Sequence, residues 1–271
     1  MMGSDRLRKS WRGNLGGMGT NRWMVLAGSQ VIARNRVVPR WLTLPTAALT
    51  GAAMLFTQSR GAWVGAAAGL AIVAILRYRR LLIPMALGAA AIPILGIGSH
   101  FIDRFAQAVR LEDPATKLRL SEYQNALEII RQHPFFGVGF GQAPSVELQT
   151  GVSSIYLTIA EQTGLLGVAL FVLAVGSILL AGFRYWRARR DTPEGDLSLT
   201  LLAALGSALT VGLVDHYFFN ITFPHMAALF WMLNGLLLAL AIPNRPRSPR
   251  PAPARERGAD GWKPPGIRSH R

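Results

Sequence analysis

Apolar runs that lack Asp, Glu, Lys and Arg alternate with short polar or basic stretches through most of this chain. Six such runs, the fourth at residues 163–183, each contain about 16 to 21 residues. A helix rises about 1.5 Å per residue, so these runs approach the roughly 30 Å hydrocarbon core of a bilayer. The pattern predicts an all-α polytopic membrane helix bundle with about six transmembrane helices, at residues 41–57, 61–76, 81–99, 155–183, 197–214 and 223–242.

An external segment of about 55 residues, 100–154, separates the third and fourth predicted spans. Within it, apolar side chains recur at spacings of three and four residues, at Leu120, Tyr123, Leu127 and Ile130. This spacing predicts an amphipathic helix over residues 118–132. The helix should end there, because Pro134 disfavours a helical residue ahead of it.

A glycine cluster, Gly137-Val138-Gly139-Phe140-Gly141, follows this helix. A dinucleotide fingerprint requires a preceding strand and a following helix, and a phosphate-binding loop requires Lys followed by Ser or Thr. Neither context is present. We therefore expect a tight re-entry turn against the membrane, with aromatic side chains in the interfacial region, from Phe135, Phe136 and Phe140.

The net charge of +15 at pH 7 is sorted by segment. Of the 29 Lys and Arg residues, 8 lie in residues 1–40, 3 in 77–80, 4 in 184–190 and 8 after residue 242. The positive-inside rule places these segments in the cytoplasm, so both termini are predicted to be cytoplasmic and segment 100–154 to be external. The distribution indicates a multi-pass topology among membrane lipids and gives no indication of nucleic-acid binding.

The two ends of the chain are predicted to lie outside the membrane domain, 41–242. Residues 1–40 are expected to form a basic cytoplasmic segment without a cleavable signal, since their apolar run Trp23–Ala33 is too short to span and lacks a small-residue cleavage site. Residues 243–271 are rich in Pro and Arg, which predicts a disordered tail. Cysteine is absent, which excludes disulfides and thiolate chemistry.

Two arginines have two interpretations each. Arg60 lies between the first two apolar runs, with the small residues Ser59 and Gly61 on either side. Because an arginine in hydrocarbon costs about 2.5 to 3.5 kcal/mol, Arg60 either snorkels to the headgroups as an anchor or binds phosphate oxygens with its bidentate fork. Arg119, on the external helix, either pairs with Glu122 at the surface or contacts a ligand.

Four motifs follow one another along the chain. They are Ser59-Arg60-Gly61-Ala62-Trp63, then Arg119 ahead of Ala126-Leu127-Glu128-Ile129-Ile130, then His133-Pro134-Phe135-Phe136-Gly137-Val138-Gly139, then Tyr156-Leu157 before Glu161-Gln162-Thr163-Gly164-Leu165-Leu166-Gly167. With these motifs in this order, the chain resembles the O-antigen ligase and polymerase superfamily over about residues 40–242.

The resemblance implies an integral glycosyltransferase of the bacterial inner membrane that works without metal or cofactor. It would take glycan from a lipid-linked oligosaccharide donor on undecaprenyl diphosphate, at the outer face, during lipopolysaccharide biosynthesis. The acceptor would be lipid A-core for a ligase or another lipid-linked glycan for a polymerase. Arg60 would then grip the diphosphate, and Arg119 would be a second phosphate or glycan contact. From their positions in the chain, Ser59, Gly61, Tyr156 and Asp215 are the candidate substrate-binding residues.

The chain departs from the family pattern at two points. The family commonly shows His-Asn before the Tyr-Leu pair, with the histidine as base, whereas this chain has Ser153-Ser154. A serine hydroxyl is no base near neutral pH. His216, beside Asp215 at the outer end of the fifth span, is the nearest catalytic substitute, although the pair also suits a polar turn. The family has about a dozen spans, so the chain resembles the C-terminal half of a typical member.

A non-catalytic membrane protein remains the alternative hypothesis. A degenerate binder of lipid-linked glycan would account for Ser153 at the position of the base. A transporter should show polar residues at mid-span or broken helices in paired repeats. The predicted spans contain few such features, namely Pro93 and His225.

Overall fold

The computed structural model of the protein describes residues 21–57, 59–94, 114–139, 152–215 and 224–242. Throughout these residues the regular structure is helical, with a 3₁₀ turn at Arg79–Leu81. The α-helices of the described part are α1 (residues 21–32), α2 (Arg40–Thr57), α3 (Arg60–Leu76), α4 (Leu82–Ile94), α5 (Pro114–Gln132), α6 (Ile155–Ala188), α7 (Pro193–Val211) and α8 (Pro224–Ala241).

Helices occur at all six predicted span positions, which confirms the all-helical membrane class. Among the described helices, α6, α7 and α8 are long and apolar enough to cross a membrane, while the apolar part of α3, Gly61–Leu76, is shorter. The count of six crossings therefore stays a prediction. Residues 95–99 of the third predicted span, residues 140–151 of the external segment and the tail 243–271 lie outside the described residues.

The predicted amphipathic helix, α5, ends at Gln132 as expected, but it turns a different face to the bundle. Leu120 and Leu127, two members of the predicted apolar stripe, are exposed. Glu122, two residues after Leu120, and Ala126, one residue before Leu127, are buried instead. The predicted stripe was wrong here because a buried carboxylate that finds a backbone donor can take a position that apolar periodicity assigns to leucine.

Helix α1 packs against α7, an arrangement that the sequence analysis did not predict. The Asn21 side-chain amide donates to Ser207 Oγ at 3.3 Å, and that of Gln30 donates to Thr200 Oγ1 at 2.8 Å. The Asn35 N–H, just beyond α1, donates to Asp196 Oδ2 at 2.9 Å. Residues 21–32 thus pack against the bundle, whereas the cytoplasmic location of segment 1–40 stays a prediction.

Glycines bring α3 and α7 into close antiparallel contact. A Cβ atom built at Gly65 would overlap Val211, and one at Gly206 would overlap Ile72. At Gly69 the added atom would lie 2.7 Å from Val25 and 3.0 Å from the Ala203 carbonyl oxygen. Small residues let helix backbones approach in this way within a membrane, where apolar burial gives little drive for association.

A network of arginines ties together the end of the bundle where α3 and α6 end and α7 begins. Arg77 Nη2 lies 3.1 Å from Asp191 Oδ1, and Arg77 Nε lies 3.7 Å from Asp196 Oδ1. Arg190 donates to the Leu76 carbonyl at 3.0 Å. We call this the basic end, defined by Arg77–Leu81 and residues 184–190, and we call the opposite end, where α3 begins, the Arg60 end.

Substitution Gly69→Ala should destabilise the bundle by about 1 to 3 kcal/mol, because the new methyl group must displace Val25 and the Ala203 backbone. The measurement is the thermal unfolding midpoint of the purified protein in detergent. Gly235→Ala on α8 is the matched control, since a Cβ there meets nothing within 4 Å. Equal midpoints for the two variants would contradict this account of the α3–α7 contact.

Candidate functional site

Helix α3 begins at Arg60 because Ser59 caps it. Ser59 has extended backbone angles, φ −79° and ψ 109°, and its hydroxyl accepts from the Ala62 N–H at 3.4 Å. The first N–H groups of a helix have no intrahelical partner, and they suit an anion. A cation at the first position opposes the helix macrodipole by about 0.3 to 1 kcal/mol, which a bound anion would offset.

The antiparallel register of α3 and α7 places the start of one helix beside the end of the other. Gly65 lies against Val211. Arg60 is five residues before Gly65, about 7.5 Å along the helix axis, and Asp215 is four residues beyond Val211. Arg60 and the buried Asp215 therefore lie at the same end of the bundle.

Helix α5 is fastened at this end by a clamp on Ser153. The Glu122 carboxylate accepts from the Ser153 N–H at 3.0 Å, and Tyr123 Oη donates to the Ser153 carbonyl at 2.9 Å. Tyr123 Oη also lies 3.3 Å from the Leu213 carbonyl at the end of α7. The predicted surface pair of Glu122 with Arg119 is thus replaced by a buried contact that joins α5 to the segments that flank α6 and α7.

Three charged groups act on the Tyr123 hydroxyl. Burial raises the pKa of Tyr123 above its ordinary value, the Arg119 charge lowers it, and the Glu122 and Asp215 carboxylates raise it. Glu122 is the neighbour of Tyr123 in the chain, and Arg119 precedes it by one turn of α5. A tyrosine with a raised pKa stays a neutral donor at physiological pH, which is what the clamp requires.

The start of α6, directly after Ser153-Ser154, is bonded to the end of α7. The Ile155 N–H donates to the Gly212 carbonyl at 2.9 Å, and Ser154 Oγ lies 3.4 Å from the same oxygen. Tyr156 Oη donates to the Leu209 carbonyl at 3.0 Å. Tyr156 is predicted to bind substrate. In the structure its hydroxyl proton is used in a hydrogen bond within the bundle.

Helix α6 is broken at Gly164, which has φ 71° and ψ −176°. The break frees the Glu161 and Gln162 carbonyls and the Leu165 N–H, since each would otherwise bond across residue 164 within the helix. Their partners come from the turn that follows α5. Val138 N donates to Glu161 O at 2.9 Å, Gly139 N to Gln162 O at 3.0 Å, and Leu165 N to Pro134 O at 2.8 Å.

Glycine is required on both sides of this contact. Gly137 and Gly164 have positive φ, and a Cβ atom on Gly164 would overlap the Phe135 backbone. A Cβ atom on Gly137 would overlap the Glu161 carbonyl. The predicted tight turn is thus present, and the third and fourth sequence motifs are two halves of one interface. Phe135 and Phe136 point away from it and are exposed, whereas Phe140 lies outside the described residues.

The structure brings several predicted site residues to the Arg60 end. Ser59 and the first turn of α3 lie there with Gly61, as do Arg119 and Asp215, while His216 lies outside the described residues. Glu122 and Tyr123, whose contacts fasten α5 at this end, were not predicted as site residues. A tyrosine within the apolar stripe was the signal for Tyr123, since its hydroxyl needs a partner when buried. Among the described residues, no group of three or more His, Cys, Asp or Glu could hold a metal ion.

Substitution Gly164→Ala should separate the turn from α6. The alanine would have to keep a left-handed φ and meet the Phe135 backbone, at a cost of about 1 to 3 kcal/mol. Hydrogen exchange of the Val138, Gly139 and Leu165 amides should accelerate at least tenfold. Gly176→Ala, in the same helix with nothing within 4 Å of its Cβ, should leave these rates unchanged. Unaltered protection in Gly164→Ala would contradict the proposed exchange of backbone partners.

Comparison with known proteins tests the resemblance of the chain to the O-antigen ligase and polymerase superfamily. No curated protein sequence matches the chain. A family model described as O-antigen ligase matches residues 45–172. The matched stretch includes Arg60, Arg119, the turn after α5 and the break in α6, and Asp215 lies beyond it. This match confirms the resemblance predicted from the motifs: over residues 45–172 the chain is similar to the O-antigen ligase family.

Proposed function

We propose that this protein transfers or polymerises glycan from an undecaprenyl-diphosphate carrier on the outer face of the bacterial inner membrane, with the diphosphate at the Arg60 end. The family match and the apolar helices support a membrane protein of the O-antigen ligase class. The observation that carries the location of the site is the start of α3 at Arg60, at the same end of the bundle as Asp215 and as the contact of Tyr123, one turn after Arg119, with Leu213.

The electrostatics of this end suit a diphosphate leaving group. As the bond from the anomeric carbon to the diphosphate breaks, negative charge develops on the departing oxygen. Arg60, Arg119 and the backbone N–H groups of Arg60 and Gly61, which precede the N–H that Ser59 caps, are the donors that we assign to it. A guanidinium binds phosphate oxygens in a bidentate fork, which fixes position as well as charge.

The acceptor hydroxyl must lose its proton as its oxygen bonds to the anomeric carbon. Ser153 stands where the family has a basic histidine, and a serine hydroxyl is no base near neutral pH. Glu122 accepts from the Ser153 N–H and is buried. We therefore assign to His216 the role of the base that accepts this proton. The adjacent Asp215 would hold the imidazole in position.

The orientation in the membrane follows from the two ends of the bundle. The basic end faces the cytoplasm in this proposal, by the positive-inside rule. Leu237 lies against Gly182, so α8 runs toward the basic end, which supports a cytoplasmic C-terminal tail. The Arg60 end then faces the periplasm, where a lipid-linked oligosaccharide donor and a lipid A-core or glycan acceptor would meet.

Substitution Arg60→Lys should lower the transfer rate of the purified protein about a hundredfold or more, because an ammonium cannot reproduce the bidentate fork. The measurement is transfer of glycan from a lipid-linked donor in detergent. Arg131→Lys is the control, since Arg131 is exposed on α5 and pairs with Glu128 at 4.0 Å. Unchanged transfer in Arg60→Lys would make Arg60 a snorkelling anchor.

One observation favours a second candidate, a degenerate binder of lipid-linked glycan. Ser153 replaces the base, and its peptide group is engaged by α5 through Glu122 and Tyr123. Such a protein would bind the donor with an affinity that falls in Arg60→Lys, yet the unsubstituted chain would transfer no glycan. The same two measurements, donor binding and transfer, therefore separate the two functions.

A further inference from the structure

A cavity of about 500 Å³ opens at the basic end, opposite the proposed transfer site. Four arginines line it: Arg77, Arg79, Arg80 and Arg190. The apolar side chains of Ile32, Leu76 and Leu81 complete the wall beside Tyr78. One cavity thus combines several cations with a hydrocarbon surface at the end of the bundle where α3 leaves its apolar segment.

Two of the four guanidinium groups have partners that hold them in place. Arg77 is paired with Asp191 and Asp196. Arg190 donates to the Leu76 carbonyl and lies over the Trp186 ring at 5.3 Å. Both of these partners are uncharged, so neither offsets the positive charge of Arg190. These contacts hold the Arg77 and Arg190 side chains in place along the wall of the cavity. They do not neutralise all of the positive charge of that wall.

The other two arginines supply the excess charge. Arg79 and Arg80 lie in the 3₁₀ turn between α3 and α4, and both are exposed. The carboxylates of Asp191 and Asp196 offset two of the four positive charges, so the cavity keeps a net positive charge that can attract an anion. An arginine cluster of this kind favours the phosphate group, whose oxygens accept from several guanidinium N–H donors.

We infer that this cavity binds an anionic phospholipid, with its phosphodiester on the arginines and the start of its acyl chains along Ile32, Leu76 and Leu81. A soluble phosphate would gain nothing from the apolar wall, whereas a lipid presents both chemistries at the membrane surface. Basic pockets between helices on the cytoplasmic side suit anionic headgroups, and the leaflet potential attracts the same charges. This inference does not depend on the proposed transferase activity.

The test uses the full chain, purified and placed in nanodiscs or detergent with defined phospholipids. Native mass spectrometry measures retention of phosphatidylglycerol and of zwitterionic phosphatidylcholine, and thermal midpoints measure stabilisation by each. We expect one phosphatidylglycerol to be retained per chain in preference to phosphatidylcholine. Each Arg near an anionic headgroup contributes about 1 kcal/mol, so the double variant Arg79→Gln, Arg80→Gln should bind it roughly thirtyfold more weakly.

The control is the double variant Arg184→Gln, Arg187→Gln. It removes the same charge from exposed residues at the same end of the bundle that do not line the cavity. Its affinity for phosphatidylglycerol should fall by less than about threefold, a loss expected from surface attraction alone. Both double variants should match the unsubstituted chain in midpoint when phosphatidylglycerol is absent, because the exposed arginines that they change are outside the core.

Three results would overturn the inference. Equal weakening in the two double variants would show general surface attraction, and equal retention of phosphatidylcholine would show that charge does not select the lipid. Stabilisation by millimolar inorganic phosphate to the same extent as by phosphatidylglycerol would assign the cavity to a soluble anion. None of these measurements uses glycan transfer, so the outcome is separate from the fate of the proposed function.

Discussion

The break in α6 at Gly164 is the constraint on which the Arg60 end depends. A backbone group without a partner is costly at membrane depth, so a broken helix persists where other parts of the protein supply the missing hydrogen bonds. Here backbone N–H groups of the turn after α5 donate to both freed carbonyls, and a backbone carbonyl beside that turn accepts from the freed amide. The same contact holds α5 against the bundle at one point, and the clamp of Glu122 and Tyr123 on Ser153 holds it at another. Two attachments fix the orientation of a helix, and through it the place of Arg119.

Close packing sets the second condition. Gly65 and Gly69 on α3 let α1 and α7 approach, and their register brings Arg60 to the level of Asp215. The polar contacts of α1 with Ser207 and Thr200 follow the same surface of α7. The Arg77 network fastens the opposite end, where α3 and α6 end and α7 begins. Ion pairs thus hold the basic end, and backbone hydrogen bonds between α6 and the turn after α5 hold the Arg60 end. Between the two ends, small residues let the helices pack closely.

The helices were predictable from the sequence because apolar runs and local signals determine them. Pro134 follows α5, and that helix ends where this residue predicts, while α3 begins one residue before the predicted span 61–76. The face that α5 buries was not predictable, since Glu122 is stabilised inside by a donor 31 residues away in the chain. The packing of α1 was missed for a similar reason. A run of Trp23–Ala33 looks too short for a membrane helix, and only the neighbours that bond Asn21 and Gln30 make it part of the bundle.

The residues of the candidate site likewise divide into those that the sequence predicts and those that only the fold reveals. Arg60 and Arg119 could be selected from the motifs, whereas Tyr123 and the clamp required the fold. Glycan transfer by this protein is tested by the surface-glycan ladder of a source strain that lacks this chain, with and without its re-expression. The account predicts a lost or shortened ladder that the chain restores, with single-repeat products for a polymerase and accumulated carrier-linked chains for a ligase. A ladder that is unchanged by loss of the chain would contradict it.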